Sequence, residues 1–255
     1  MARAAVSGRL GERLRWRVAT LVGQREETPT TRTLVLDVPG WPGHLAGQHV
    51  DVRLTAEDGY STQRSYSIAS APDGALLELT VQQVSDGEVS PYLAHDLLAG
   101  DLLELRGPVG GWFVWRPDQT EPVLLVAGGS GIVPLMAMIR ARRQLQMQLG
   151  PMAPFRLLYS VRSPADRMYL AELQAHDPGL DVHFLYTRQA PEGWQRPPRR
   201  LAEADLAAVA WPPSAQPTSY VCGPTGFVEH AADLLVGLGQ APDRIRTERF
   251  GPTGG

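Results

Sequence analysis

The segment "QRSYSIASAP", Gln63 to Pro72, sets an arginine, a tyrosine and two serines within a few positions. On an extended strand alternate side chains share a face, so Arg64 and Tyr66 point the same way. A guanidinium there can grip a phosphate while the phenol lies against a flat ring system. Standing alone, the same pair is also what an ordinary barrel surface carries.

Two further stretches could hold anions. "AGGSGIVP" follows an apolar run and opens an apolar helix, with Gly129-x-Gly131-x-x-Pro134 spacing around Ser130. Glycines in that context let backbone amides approach a phosphate, and the helix N-terminus attracts negative charge. Pro134 replaces the usual last glycine and is tolerated in a first helical turn. A ligand-free strand-to-helix turn would read the same way. Dinucleotide sites commonly place an acid about 20 residues on, to hold a ribose hydroxyl. Here Arg162 ends "YSVR" and Arg188 ends "LYTR"; either alone would read as an ordinary exposed charge, but the pair at neighbouring strand ends beside this turn suits a phosphorylated ribose. The other stretch is "GEVSPYLAHDLLAG", which predicts a helix with Ser90 as N-cap, Pro91 at its first position and Gly100 just past its end. Its free amides offer a second anion site, although a capped helix stands without one.

Two kinds of element must position these residues. Through about Arg116 the chain runs in short alternating or β-branched stretches, such as "TRTLVLDV" and "LLELTVQQV", broken by Gly, Pro and Asp turns. That pattern predicts an antiparallel barrel or sandwich. After "RPDQTEP", buried strands alternate with helices, as in "PVLLVAGG" then "PLMAMIRARRQLQM" and "FRLLYSVR" then "ADRMYLAELQAH", which predicts a parallel α/β sheet covered on both faces. The boundary falls near Asp118: a tail over 1–15, a first domain over 16–117 and a second over 118–255. A length of 255 residues accommodates two domains.

Composition narrows the class. The 24 basic residues are all arginine, balanced by 27 acids and spread without a like-charge block, so nothing suggests nucleic acid. The absence of lysine and asparagine reads as a coding bias of a bacterial source. A single cysteine, Cys222, excludes an internal disulfide framework or a four-cysteine cluster, and suits a reduced, cytoplasmic setting. The uncharged run from Pro122 to Ile139 is interrupted by "GGSG" and Pro134, so it predicts a buried strand, turn and helix rather than a membrane span.

Taken in order, "RSYS", "GEVSPYL", "GGSGIVP" and "CGP" resemble the motifs of the ferredoxin-NADP⁺ reductase-like flavoproteins, a resemblance that covers about Trp16 to Phe250. It implies an FAD-binding β-barrel followed by an NAD(P)H-binding α/β domain. Carried over by position, it implies Arg64 on the flavin diphosphate, Tyr66 against the isoalloxazine and Ser67 near its N5, with Gly87, Val89 and Ser90 on the pyrophosphate. Strand alternation puts Ser67 opposite Tyr66, so a side-chain role for Ser67 requires the strand to twist or end there. The resemblance further implies that Gly129, Ser130, Gly131 and Pro134 form the nicotinamide-dinucleotide turn. Cys222, Gly223 and Pro224 would wall the nicotinamide, with Cys222 as a positioning residue. "TERF" would bring Glu248 into the hydride-transfer site and Phe250 against the flavin, although "GPTGG" follows where plant-type members end.

The implied activity is an NAD(P)H-dependent flavoprotein reductase that passes electrons to a separate ferredoxin, flavodoxin or oxygenase component. NADPH is the preferred co-substrate on the strength of Arg162 and Arg188, with NADH as the other. Alternatives are a reductase of free flavin, against which the Ser90 helix argues, and a non-catalytic subunit that relays electrons or senses redox state.

Overall fold

The computed structural model describes residues 15–55, 59–72, 76–84 and 87–250, so the expected tail over 1–15, save Arg15, and the "GPTGG" extension lie outside the described residues. The first domain contains β1 (Trp16–Thr28), β2 (Thr31–Asp37), β3 (His49–Thr55), β4 (Ser61–Ser67) and β5 (Leu76–Gln82). A short helix α1 (Val89–Pro91) then runs into a π-helical turn (Tyr92–Asp96), and β6 (Leu102–Val109) completes the domain. The sheet order is β4-β3-β6-β1-β2-β5 with every pairing antiparallel. Ile68, just past β4, bridges Leu79 of β5 and curls the two edges together into a barrel. Inward positions such as Leu34, Leu36, Val50, Val52, Leu79 and Leu105 fill it and are inaccessible to solvent.

The second domain is a parallel sheet in the order β11-β10-β7-β8-β9. Its elements are β7 (Val123–Gly128), α2 (Ile132–Leu149), β8 (Phe155–Val161), α3 (Leu170–Gln174), β9 (Leu180–Tyr186), α4 (Glu203–Val209), β10 (Thr218–Pro224), α5 (Thr225–Gly237) and β11 (Ile245–Phe250). All six residues of the central strand β7 are buried, as a strand covered on both faces requires. Helices α4 and α5 pack on one face through Leu206, Val209, Val228 and Leu235. On the other face lies α2, every residue of which from Ile132 to Ile139 is buried. A helix apolar all round must be covered all round. Its second cover is the barrel side, where Ala46, Ala69, Phe113 and Trp115 join the same core. Helix α2 is therefore the common wall of both domains, and the turn that starts it opens at their seam.

Two expected helices differ. The hydroxyl of Ser90 does not cap a helix: the N-cap is Glu88, and Ser90 lies inside the turn, where its Oγ accepts the Val84 backbone N–H at 3.1 Å. The helical path ends at Asp96, so Gly100 (φ +98°) serves a later turn before β6 instead of a helix end. Likewise "ADRMYLAELQAH" forms only a 3₁₀ turn (Pro164–Asp166) and the short α3, separated by Tyr169 in a left-handed conformation at φ +56°.

Candidate active site at the domain seam

A cleft of about 680 Å³ runs along the seam, within the size range of ligand sites. Its barrel wall includes Arg64, Tyr66, Ser67, Thr80 and Ser90, and its other wall Ser130, Val133, Arg249 and Phe250. In the β3–β4 register Arg64 faces Val52 and Tyr66 faces Val50, so both stand on the core-side face of β4. Tyr66 leans on the barrel core, and burial raises its phenol above the ordinary range, partly opposed by Arg64. One Arg64 nitrogen, Nη1, donates to the Gln63 carbonyl at 2.8 Å and more weakly to Thr62 Oγ1 at 3.4 Å. Among the described residues Nε and Nη2 have no partner, which leaves donors for a ligand.

Gly87, Val89 and Ser90 form the end of the cleft. A Cβ on Gly87 would stand 3.0 Å from Ser90 Oγ and 3.2 Å from the Val84 carbonyl, so this turn folds tightly back onto α1. The Ser90 hydroxyl shapes that turn through Val84.

Across the seam, Gly129 takes φ +54° with open space where a side chain would begin, whereas a Cβ on Gly131 would meet the Cys222 carbonyl oxygen at 2.1 Å. The first glycine permits the turn and the second lets it pack on β10. Ser130 lines the cleft, while Pro134 is buried within the first turn of α2. Strands β10 and β11 pair in parallel, with Cys222 opposite Glu248, Gly223 opposite Arg249 and Pro224 opposite Phe250. This pairing carries Glu248 and Phe250 to the β4 end of the barrel.

There Ser67 Oγ donates to Glu248 Oε1 at 3.3 Å. Ser61, Gln63 and Ser65 are exposed on the outer face of β4, but Ser67, on that same face, is buried. The second domain covers the strand here, where β4 also ends, so Ser67 and Tyr66 both line the cleft, from opposite faces of the strand. Burial pushes the Glu248 carboxyl up to about 7, with the Ser67 hydrogen bond working the other way. Burial, and then Glu248, raise the Cys222 thiol well above its ordinary value, so it stays protonated and is a poor nucleophile at neutral pH.

Arg162 and Arg188 are both exposed and adjacent, the Arg188 backbone N–H donating to the Arg162 carbonyl at 2.9 Å. Among the described residues neither guanidinium has a partner. They sit at the ends of β8 and β9 and do not line the seam cleft. Sequence reasoning did not single out Tyr60, Thr62, Thr80, Gln82, Glu88, Val133 or Arg249, all of which line the cleft. The alternation that finds Arg64 and Tyr66 also reaches Thr62, and Glu88, Val133 and Arg249 lie inside "GEVSPYL", "GGSGIVP" and "TERF"; Tyr60, Thr80 and Gln82 come in through tertiary structure.

A ligand with a flat ring system and a diphosphate suits this donor set: unengaged Arg64 nitrogens, the Tyr66 ring and two glycine turns free of side chains. Comparison with known proteins agrees. The family described as an oxidoreductase FAD-binding domain matches residues 19–114, and that described as an oxidoreductase NAD-binding domain matches residues 125–233. The chain is 33% identical to a flavohemoprotein of Chromobacterium violaceum over 92% of its own length and 60% of the relative's. It is 32% identical to the ferredoxin–NAD(P)⁺ reductase component of the naphthalene 1,2-dioxygenase and salicylate 5-hydroxylase systems of a Ralstonia species, over 82% of this chain and 61% of that one. A solved cytochrome P450 reductase from Amycolatopsis superposes with a TM-score of 0.80 at 26% identity, covering 94% of this chain and 71% of that one. The chain thus spans about three fifths of each of these two curated relatives.

Proposed function

The chain belongs to the ferredoxin-NADP⁺ reductase-like FAD- and NAD-binding oxidoreductases, and from that premise we propose that it takes electrons from NAD(P)H onto FAD in the seam cleft and passes them to a separate acceptor protein. Bound FAD would supply two-electron acceptance and onward release of electrons. The chain's own residues do the rest. Arg64 holds the diphosphate, Tyr66 carries the ring on one face, and Gly87, Val89 and Ser90 shape the pyrophosphate end. Gly129, Ser130, Gly131 and Pro134 receive the nicotinamide dinucleotide, with Cys222, Gly223 and Pro224 packed behind its reactive end. Glu248 and Ser67 hold a proton between them at the seam, and Phe250 covers the ring face that nicotinamide must reach.

The observation that carries this reading is the Ser67–Glu248 hydrogen bond, which ties β4, where Ser67 lines the cleft, to β11, whose Arg249 and Phe250 line it from the other side. The finer assignments are NADPH over NADH, through Arg162 and Arg188, and a ferredoxin, flavodoxin or oxygenase component as acceptor. The latter is supported by the Ralstonia relative, named as a reductase component of oxygenase systems. Domain limits of 16–117 and 118–255 accompany this proposal.

Anaerobic mixing tests it. The purified, FAD-loaded protein should lose its oxidised-flavin absorbance when NADPH or NADH is added. Arg64→Ala should retain flavin about tenfold or more weakly, since a hydrogen bond to a charged group contributes about 1.5–3 kcal/mol. A protein that takes up no FAD, or whose flavin neither nucleotide bleaches, would end the proposal.

A further inference from the structure

Away from the reacting end of the cleft, the two domains are also joined by a polar seam that involves none of the motif residues. Arg140 of α2, with a side chain 14% exposed, reaches into the barrel, where Nη1 donates to the Ala69 carbonyl at 2.9 Å and to Glu78 Oε2 at 2.8 Å. Its other nitrogens hold Glu172 of α3, with Nε to Oε2 at 2.9 Å and Nη2 to Oε1. Glu78 is gripped from its far side by Arg25 of β1, at 2.9 and 2.6 Å. One guanidinium thus ties α2, α3, the segment just past β4 and β5 together.

Beside it stands Tyr169, whose ring lies 5.1 Å beneath the Arg140 guanidinium. Tyr169 is 3% exposed and holds a left-handed backbone at φ +56°, a conformation a bulky side chain adopts only when its surroundings impose it. Those surroundings are visible. Its backbone N–H donates to Glu27 Oε2 of β1 at 3.1 Å, and the Met168 N–H is held by Tyr159 OH at 3.4 Å. The Tyr169 hydroxyl then crosses the seam and donates to Thr80 Oγ1 of β5. From Thr80 the bonds continue to Thr33, 2.7 Å away, and from Thr33 to Glu27 Oε1 at 2.7 Å. Thr80 lines the seam cleft.

We propose that Tyr169 and Arg140 are positioning residues, a latch that fixes the angle of the nucleotide domain against the barrel and so sets the approach of nicotinamide to flavin. The inference rests on the proposed transfer across the seam. Neither side chain reaches the residues assigned to the reacting rings, so each acts through domain placement. Fixed placement matters because a misalignment of about 1 Å can cost about 10²-fold in rate.

The test uses the FAD-loaded full chain with spin labels on Asp37→Cys in the barrel and Glu203→Cys in the nucleotide domain, both exposed sites; the native Cys222 is buried. Tyr169→Phe keeps the ring and removes the hydroxyl. It should broaden the label-to-label distance distribution and slow single-turnover flavin reduction at saturating nucleotide by about tenfold. Flavin content and nucleotide Kd should stay at their unsubstituted values, a split that general loss of stability would not produce. Arg140→Gln should do the same more strongly and Arg140→Lys should partly restore both readouts; if Arg140→Gln does not fold, Tyr169→Phe decides. A wild-type distance distribution in Tyr169→Phe overturns the proposal, and so does an unchanged reduction rate. Should the unsubstituted protein fail to be reduced at all, it is the redox function that fails, while the distance measurement still reports on the latch.

Discussion

Ser67 and Glu248, separated by 181 positions in the chain, meet at 3.3 Å where the barrel and the nucleotide domain close on each other. The carboxyl is held in the neutral range by burial, near 7, and is therefore a group whose charge changes at working pH. Its folded pKa lies above the unfolded value of about 4.3. The folded state then binds more protons than the unfolded state between about pH 4.3 and 7, so stability falls as pH rises through that window. Glu248→Gln, which cannot ionise, should raise stability over the wild type at pH 8 by about 1–3 kcal/mol, and by far less at pH 4. Thermal melts at the two values check this. Flavin reduction should show an inflection near pH 7 in the wild type and none in Glu248→Gln; equal melts at both pH values and matching rate profiles would show that the carboxyl is solvated.

The two glycines of the α2 turn should separate geometry from space. Gly131→Ala places a methyl 2.1 Å from the Cys222 carbonyl oxygen, a backbone atom that cannot swing aside. The turn must lift off β10, so both stability and nucleotide affinity should fall, stability by about 2 kcal/mol or more. Gly129→Ala meets nothing within 4 Å and suffers only from its φ of +54°, a cost of about 1 kcal/mol. Denaturant melts and nucleotide titrations of the pair check the order; Gly129→Ala being the more damaging would mean that the turn is not packed as described.

How much of this was visible in the sequence depends on the range of the interaction. The two architectures were legible because their signals are local: alternation in "TRTLVLDV" and a buried run into an apolar helix at "PVLLVAGG". The shared face of Arg64 and Tyr66 follows from the same periodicity. Ser90 was misplaced because a serine before a proline has the local form of an N-cap, while its hydroxyl is engaged by Val84, six residues earlier and across a turn. Burial of Ser67 was invisible, since alternation assigns it to the outer face and only the docked second domain covers it. Tyr169 was read as helix interior; its left-handed backbone is imposed by Glu27 and Thr80, partners far away in the chain.

Coenzyme choice should reside in Arg162 and Arg188, whose exposed guanidiniums lie at neighbouring strand ends with their backbones hydrogen bonded. A phosphate on the ribose would gain a charge-assisted contact that plain NADH lacks, about 1.5–3 kcal/mol for each guanidinium engaged. The wild type should therefore favour NADPH by about tenfold or more in kcat/KM, and Arg188→Ala should reduce that ratio without altering kcat/KM for NADH. Steady-state kinetics with both nucleotides decide it. Equal kcat/KM for the two, unchanged by Arg162→Ala and Arg188→Ala, would place the ribose elsewhere.

Cys222 and Phe250 should fail in opposite ways. Cys222 is inaccessible to solvent and lies opposite Glu248 in the β10–β11 ladder, so Cys222→Ala should loosen the wall beside Glu248 against which the proposed function seats the nicotinamide. Such a residue acts on near-attack geometry, and its loss should lower kcat and kcat/KM together. Phe250 is half-buried at the cleft, two residues beyond Glu248 on the same face of β11, and packs partly against the core around α2. Under the proposed function its ring stands where an incoming nicotinamide would lie, so Phe250→Ser should open the face, tighten nucleotide binding and slow product release. Single-turnover reduction of each variant, with nucleotide binding measured separately by titration, separates the two effects. Wild-type reduction by Cys222→Ala together with no tighter binding by Phe250→Ser would move the reacting end of the nucleotide away from the β10–β11 corner, even with the flavin seated against Tyr66.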